Sequence, residues 1–148
     1  MIDNGENIML VNGVFMDILI IDDDPATIDL IKIQLQTTEF NLTFAYSGEE
    51  GLNLVNQNAP DLIILDILMP DMDGLETCKK LRRICQAPIL ILSAVDQPQM
   101  IANALDAGAD DYLVKPVSST ILIAHLQNLA RRIQNNTRHN PRATIKII

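Results

Sequence analysis

No apolar run in this 148-residue chain reaches the roughly 18 residues that a membrane-spanning helix needs. The first residues show no basic segment followed by an apolar stretch, so no secretory leader is read and a cytoplasmic location is expected. Cysteine is scarce, with only Cys78 and Cys85. On one helix, seven residues at about 1.5 Å of rise hold them roughly 10 Å apart, beyond disulfide reach. Neither has a His or a second Cys at metal-ligand spacing. Glycine (6) and proline (7) are few while hydrophobic residues make up 48%, which excludes a disordered or collagen-like chain. Acid is missing from one end. Residues 118–148 hold no Asp or Glu and five bases, Arg131, Arg132, Arg138, Arg142 and Lys146, whereas residues 1–117 hold all 19 acids against 6 bases. The compact part therefore repels nucleic acid. The tail, without aromatics or a reading module, reads as a solvated basic segment.

What is present is a regular alternation. Residues 1–15 have no consistent period and carry a turn signal at Asn12-Gly13. From Met16 the pattern sharpens. The run Ile18–Ile21 stops abruptly at Asp22-Asp23-Asp24-Pro25, as a strand covered on both faces does, and Ile28, Ile31 and Leu35 then mark a helix stripe. The unit repeats. A strand over Phe40–Tyr46 leads to a helix opened by Ser47 as N-cap, with Glu50 completing a capping box. A strand over Asp61–Asp66 is followed by a loop and the helix Leu75–Cys85, and a strand over Pro88–Ser93 by a helix near Gln99–Ala107. A fifth strand, Asp111–Lys115, precedes a last helix over Ser119–Gln134 with Leu122, Leu126, Leu129 and Ile133 on one face. Alternation of this kind predicts an α/β fold with a parallel sheet helix-covered on both sides.

In such sheets ligands bind beyond the C-terminal strand ends. The first strand ends in Asp22 and Asp23, the third in Asp66, the fourth in Ser93 and the fifth in Lys115. Carboxylates held together need a cation, and hard oxygen donors with room for water suit Mg²⁺. A divalent cation and an ammonium beside a carboxylate form a site for phosphoryl transfer, with the carboxylate as nucleophile. Asp66, alone on the central strand between the acidic pair and Lys115, is the best nucleophile candidate.

The segments ILIIDDDP (18–25), DLIILDILMPDMDG (61–74), ILILSA (89–94) and GADDYLVKP (108–116) make the chain resemble the receiver domain of a two-component response regulator, the CheY-like family. The likeness runs from about Met16 to Arg132. It implies a flavodoxin-like, doubly wound three-layer sandwich of five parallel strands in the order 2-1-3-4-5. Asp66 resembles the phosphoacceptor. Asp22 and Asp23 resemble the acidic pair that holds Mg²⁺, with Asp66 and the backbone carbonyl of Leu68 as further ligands. Lys115 resembles the lysine that contacts the phosphoryl group, ahead of a cis bond to Pro116. Ser93 matches the hydroxyl that turns toward that group, and Tyr112 the aromatic switch; Ala94 is small enough to leave the group accessible. The implied partner is a sensor histidine kinase or phosphotransfer protein. The implied role is a signalling switch, not an enzyme with a separate substrate, that assists its own phosphorylation and dephosphorylation and alters the face of the fourth helix, fifth strand and fifth helix.

GADDYLVKP with a long helix ending in Arg-Arg further resembles regulators of the OmpR/PhoB type, which implies a homodimer through that same face and control of transcription. Asp106, Asp110 and Asp111 match its acidic side, but Ile121 and His125 stand where Glu and Arg are expected. His125 reads as a plain surface histidine. The expected organisation is an extension (1–15), a receiver (16–134) and a tail (135–148) that leads toward an output domain beyond this chain, through which alone DNA would be bound. The alternative is a stand-alone receiver that acts by protein–protein contacts. Other readings fit less well. Asp71-Met72-Asp73-Gly74 superficially matches a phosphatase motif, but Met69-Pro70 separates it from the strand it must follow, and no nucleotide-binding glycine motif occurs.

Overall fold

The computed structural model describes residues 10, 11, 14–70 and 72–139. Five strands form one sheet: β1 (Asp17–Ile21), β2 (Asn41–Ala45), β3 (Leu62–Leu65), β4 (Ile89–Ser93) and β5 (Asp111–Val114). They lie in the order β2-β1-β3-β4-β5, and every pairing is parallel. Five helices connect them: α1 (Pro25–Gln34), α2 (Gly48–Gln57), α3 (Gly74–Ile84), α4 (Pro98–Asp106) and α5 (Ser119–His139). The order of the sheet is the expected one.

Side-chain alternation divides the core into two layers. Leu19, Ile21, Ile63, Leu65, Ile89 and Ile91 pack with Val55 of α2, Cys78 and Leu81 of α3, and Ala104 of α4. Their neighbours Ile18, Ile20, Leu62, Ile64, Leu90 and Leu92 face the other way, onto Ile31 of α1 and Leu122, Leu126, Leu129 and Ala130 of α5. Strands apolar at every position are thereby buried on both sides, as the sequence pattern requires.

Local details refine the reading. Ser47 Oγ accepts the Glu50 N–H at 3.0 Å, but the Glu50 carboxylate accepts from Tyr46 N–H at 2.9 Å, one residue before the cap. Helix α5 runs to His139, five residues past the expected end. Leu10–Val11 and Val14–Phe15 pair antiparallel within the expected N-terminal extension, while the turn signal at Asn12-Gly13 lies outside the described residues, as do Asp71 and residues 140–148 of the tail. Both cysteines are free thiols, and burial pushes that of Cys78 up to about 11. Among the described residues no helix is long and apolar enough to cross a membrane.

Candidate functional site

The parallel ladders continue one residue past the strand ends, and this brings the polar residues together. Asp22 N–H donates to Ala45 O at 3.0 Å, and Asp66 N–H donates to Ile21 O at 3.0 Å, so the residues that close β1 and β3 are neighbours. Lys115 N–H donates to Ser93 O at 2.8 Å in the same way across β4 and β5. Asp22 and Asp66 are buried, while Asp23 is exposed.

The two buried carboxylates are held alike. Asp22 Oδ1 accepts from Asp24 N–H at 2.9 Å, and Asp66 Oδ1 accepts from Leu68 N–H at 3.0 Å, each a turn closed by the side chain two residues back. Both Oδ2 atoms face Lys115 Nζ, at 2.9 Å from Asp22 and 3.4 Å from Asp66. Oxygens of Asp22, Asp23 and Asp66 lie within 4.8 Å of one another. Three carboxylates around one point, with a single ammonium opposite, form a donor set of hard oxygens that fits a small divalent cation.

The loop after Asp66 is pinned by Gly74. Its N–H donates to Ile67 O at 3.3 Å, and a Cβ there would stand 2.1 Å from Ile67 Cα, so only glycine lets α3 start this close to the strand end. Asp73 caps that helix through Leu75 N–H at 3.0 Å. Leu68 is exposed beside the carboxylates.

Ser93 and Tyr112 meet at Val95. Ser93, fully buried, accepts the Val95 N–H at 3.3 Å, and the Tyr112 hydroxyl donates to the Val95 carbonyl at 2.6 Å. Burial raises the tyrosine pKa; the nearby Ser93 hydroxyl lowers it, and the Asp66 and Asp96 carboxylates raise it. Ala94 is exposed, which leaves the approach beside Ser93 open. The Lys115–Pro116 peptide bond is cis.

The outer face of β5 corrects one expectation. His125 is not a plain surface residue, because its Nδ1 contacts Asp111 Oδ2 at 2.5 Å, and Asp111 Oδ1 in turn accepts from Tyr112 N–H at 2.8 Å. Asp110 is engaged as well, by Arg82 Nη2 at 3.0 Å and by Ile89 N–H at 2.9 Å. Two of the three acids expected to face a partner are therefore paired within the chain. Nothing in the spacing of these residues signals the pairings, which arise from strand register.

Residues 18–127 match the response regulator receiver domain family. The chain belongs to that family. The receiver is 39% identical over 115 residues to the transcriptional regulatory protein AfsQ1 of Streptomyces coelicolor, covering 78% of this chain and 51% of that protein. It is 42% identical over 118 residues to the DNA-binding dual master transcriptional regulator RpaA of Synechocystis, covering 78% and 49%. It thus spans about half the length of the curated relatives it matches. A two-component response regulator from Clostridium difficile superposes with a TM-score of 0.77 at 37% identity, covering 80% of this chain and 98% of that one.

Proposed function

We propose that the receiver accepts a phosphoryl group on Asp66 in a Mg²⁺-dependent reaction and relays that event as a change of surface. The observation that carries this reading is the convergence of Asp22, Asp23 and Asp66 with Lys115 at the C-terminal edge of the sheet. Asp22 and Asp23 would hold the metal, with Asp66 and the Leu68 carbonyl completing the protein donors. When bound, Mg²⁺ supplies positive charge against the equatorial phosphoryl oxygens.

The chain's own residues do the rest. Asp66 Oδ2, the oxygen not committed to Leu68 N–H, is the nucleophile; it forms a bond to phosphorus as the donor's leaving atom departs with the electron pair of the broken bond. Lys115 shifts from the carboxylates to the transferred oxygens, where its charge opposes the charge developing in transfer. The Ser93 hydroxyl, at present an acceptor for Val95 N–H, turns to donate to the phosphoryl group. That releases one of the two bonds that hold Val95 and lets Tyr112 repack, so α4, β5 and α5 present a different face. Water later attacks the phosphorus of the acyl phosphate, the P–O bond to Asp66 breaks, and inorganic phosphate leaves with the carboxylate restored, so the molecule is a switch that assists its own phosphorylation and dephosphorylation.

The phosphoryl donor is a sensor histidine kinase or phosphotransfer protein, which would approach where Leu68 and, on α1, Leu30 and Ile33 are exposed. We further propose a cytoplasmic receiver over residues 16–134, followed by a segment leading to an output domain that carries DNA binding and transcriptional control. A homodimer through α4, β5 and α5 would belong to the phosphorylated state. An intact mass from native cells well above 16.4 kDa supports that organisation, and one at 16.4 kDa favours a stand-alone receiver. Intact mass after incubation with acetyl phosphate and Mg²⁺ tests the chemistry. One added phosphoryl group, absent in Asp66→Asn and in metal-free samples, is expected. Incorporation that survives Asp66→Asn would overturn the assignment.

A further inference from the structure

We propose that Gln34, the last residue of α1, is a positioning residue for Lys115, fixing the segment that carries the ammonium against Asp22 and Asp66. The inference rests on the function proposed for Asp66, and the experiment below separates the two.

Four residues, Lys115 to Ser118, connect β5 to α5. The connection is fastened at its start by Lys115 N–H to Ser93 O at 2.8 Å. Its end is fastened by Ser118, whose carbonyl accepts Leu122 N–H at 3.0 Å and whose hydroxyl accepts Ile121 N–H at 3.3 Å. Between these points Pro116 has no N–H to donate. Val117 is held there from another element, because Gln34 Nε2 donates to its carbonyl at 2.7 Å across 83 residues of sequence.

The placement of this bond closes a ring. Helix α1 begins at Pro25, directly after the acidic turn, and its N-cap Asp24 is the residue whose N–H fixes Asp22 Oδ1. The helix ends at Gln34, between the buried residues Ile31 and Leu35 that seat it on the sheet. From Gln34 the path crosses to Val117, returns two residues to Lys115, and closes through Nζ onto Asp22 at 2.9 Å. Backbone bonds hold Asp22 and Asp66 at the other side of the site. A lysine on a flexible stem is an accurate charge only if its backbone is held too, and small displacements of a transfer group lower rates steeply.

Three single variants and one double variant test this in the full chain: Gln34→Met, which keeps the length and removes the donor; Gln34→Glu, which keeps the shape but presents an acceptor; and Lys115→Met. The rate of phosphoryl incorporation at saturating acetyl phosphate and Mg²⁺ is measured for each, and for Gln34→Met combined with Lys115→Met. Action through Lys115 predicts a loss of about fivefold or more in both Gln34 variants and no further loss when Gln34→Met is added to Lys115→Met. An equal loss in both backgrounds, or no loss in either Gln34 variant, overturns the proposal.

Amine labelling of the metal-free protein, read by peptide mass, supplies a measurement that does not need the reaction. Lys115 should label several-fold faster in Gln34→Met, with Lys32, Lys79 and Lys80 unchanged as internal references. Unchanged Lys115 labelling counts against the proposal even where rates fall. If the unaltered receiver takes up no phosphoryl group, the function proposed for Asp66 fails, and the labelling result alone decides whether Gln34 positions the lysine.

Discussion

The two ends of the central strands both carry paired carboxylates. At the C-terminal ends, Asp22 and Asp66 each commit one oxygen to a backbone N–H and turn the other toward Lys115. At the N-terminal ends, Asp61 and Asp17 exchange bonds: Asp61 N–H donates to Asp17 O at 2.8 Å, and Asp61 Oδ2 accepts Asp17 N–H at 2.7 Å. Burial pushes the Asp61 carboxyl above its usual range; the Asp17 N–H opposes this and the Asp17 carboxylate adds to it. The first end gathers carboxylate oxygens around one point where a cation would fit. The second uses the carboxylate to align two strands, at the expense of its charged form. A carboxylate drawn in at a strand end, as the half-buried Asp61 is, is therefore not a functional signal in itself; what its second oxygen faces decides the matter.

Substitution at matching positions of the two ends gives the largest contrast. Asp66→Asn should abolish phosphoryl incorporation, whereas Asp61→Asn should leave it intact, as read by intact mass. Next comes Lys115→Met, which strips the cation from two buried carboxylates. Lys115 is itself partly exposed, so a loss of about 2 kcal/mol is expected in metal-free urea unfolding at neutral pH. Added Mg²⁺ should raise the unaltered receiver by about 2.7 kcal/mol at a hundredfold excess over its Kd, and raise Asp23→Asn by less. A receiver whose unfolding ignores Mg²⁺ would remove the functional half of the comparison.

At the other end, Asp61→Ala orphans the Asp17 N–H and should cost about 1–2 kcal/mol. Asp61→Asn retains an acceptor, and its effect depends on pH. Because the folded state binds the Asp61 proton more tightly than the unfolded state, this group's favourable contribution is full below the ordinary carboxylate pKa and is lost as pH rises through the elevated folded value. The asparagine variant should lack that decline, so its stability relative to the parent should improve from acid toward neutral pH. A constant difference across this range would show that the charge of Asp61 carries no penalty. The smallest effect expected is that of Tyr112→Phe, about 1 kcal/mol from the bond to the Val95 carbonyl, measured in the same unfolding series.

The sheet was legible because its signal is local: each strand is a short apolar run that stops at a polar residue, and the stops line up once the strands are parallel. Asp22, Asp23, Asp66 and Lys115 could be grouped for that reason, without distances. Partnerships formed between elements far apart in the chain were not legible. Gln34 looks like any polar residue at the end of a helix, and its bond to Val117 depends on how α1 lies beside the start of α5. His125 finds Asp111 only through the packing of α5 on β5, and Asp61 finds Asp17 only through the register that pairs Ile18 with Leu62. Helix α5 outruns its sequence pattern because Asn135 and Asn136 are weak helix formers whose cost the preceding turns outweigh.

That longer helix changes the mechanics of the molecule. Twenty-one residues make a rod of about 31 Å, seated on the sheet by Leu122, Leu126, Leu129 and Ala130. Its seat is the layer opposite the one packed by α2, α3 and α4. A tilt of about 10° at its first turn sweeps its far end through roughly 5 Å. Any adjustment of that seat is therefore magnified along the helix, a small angle at the sheet becoming a displacement the size of a side chain at the far end.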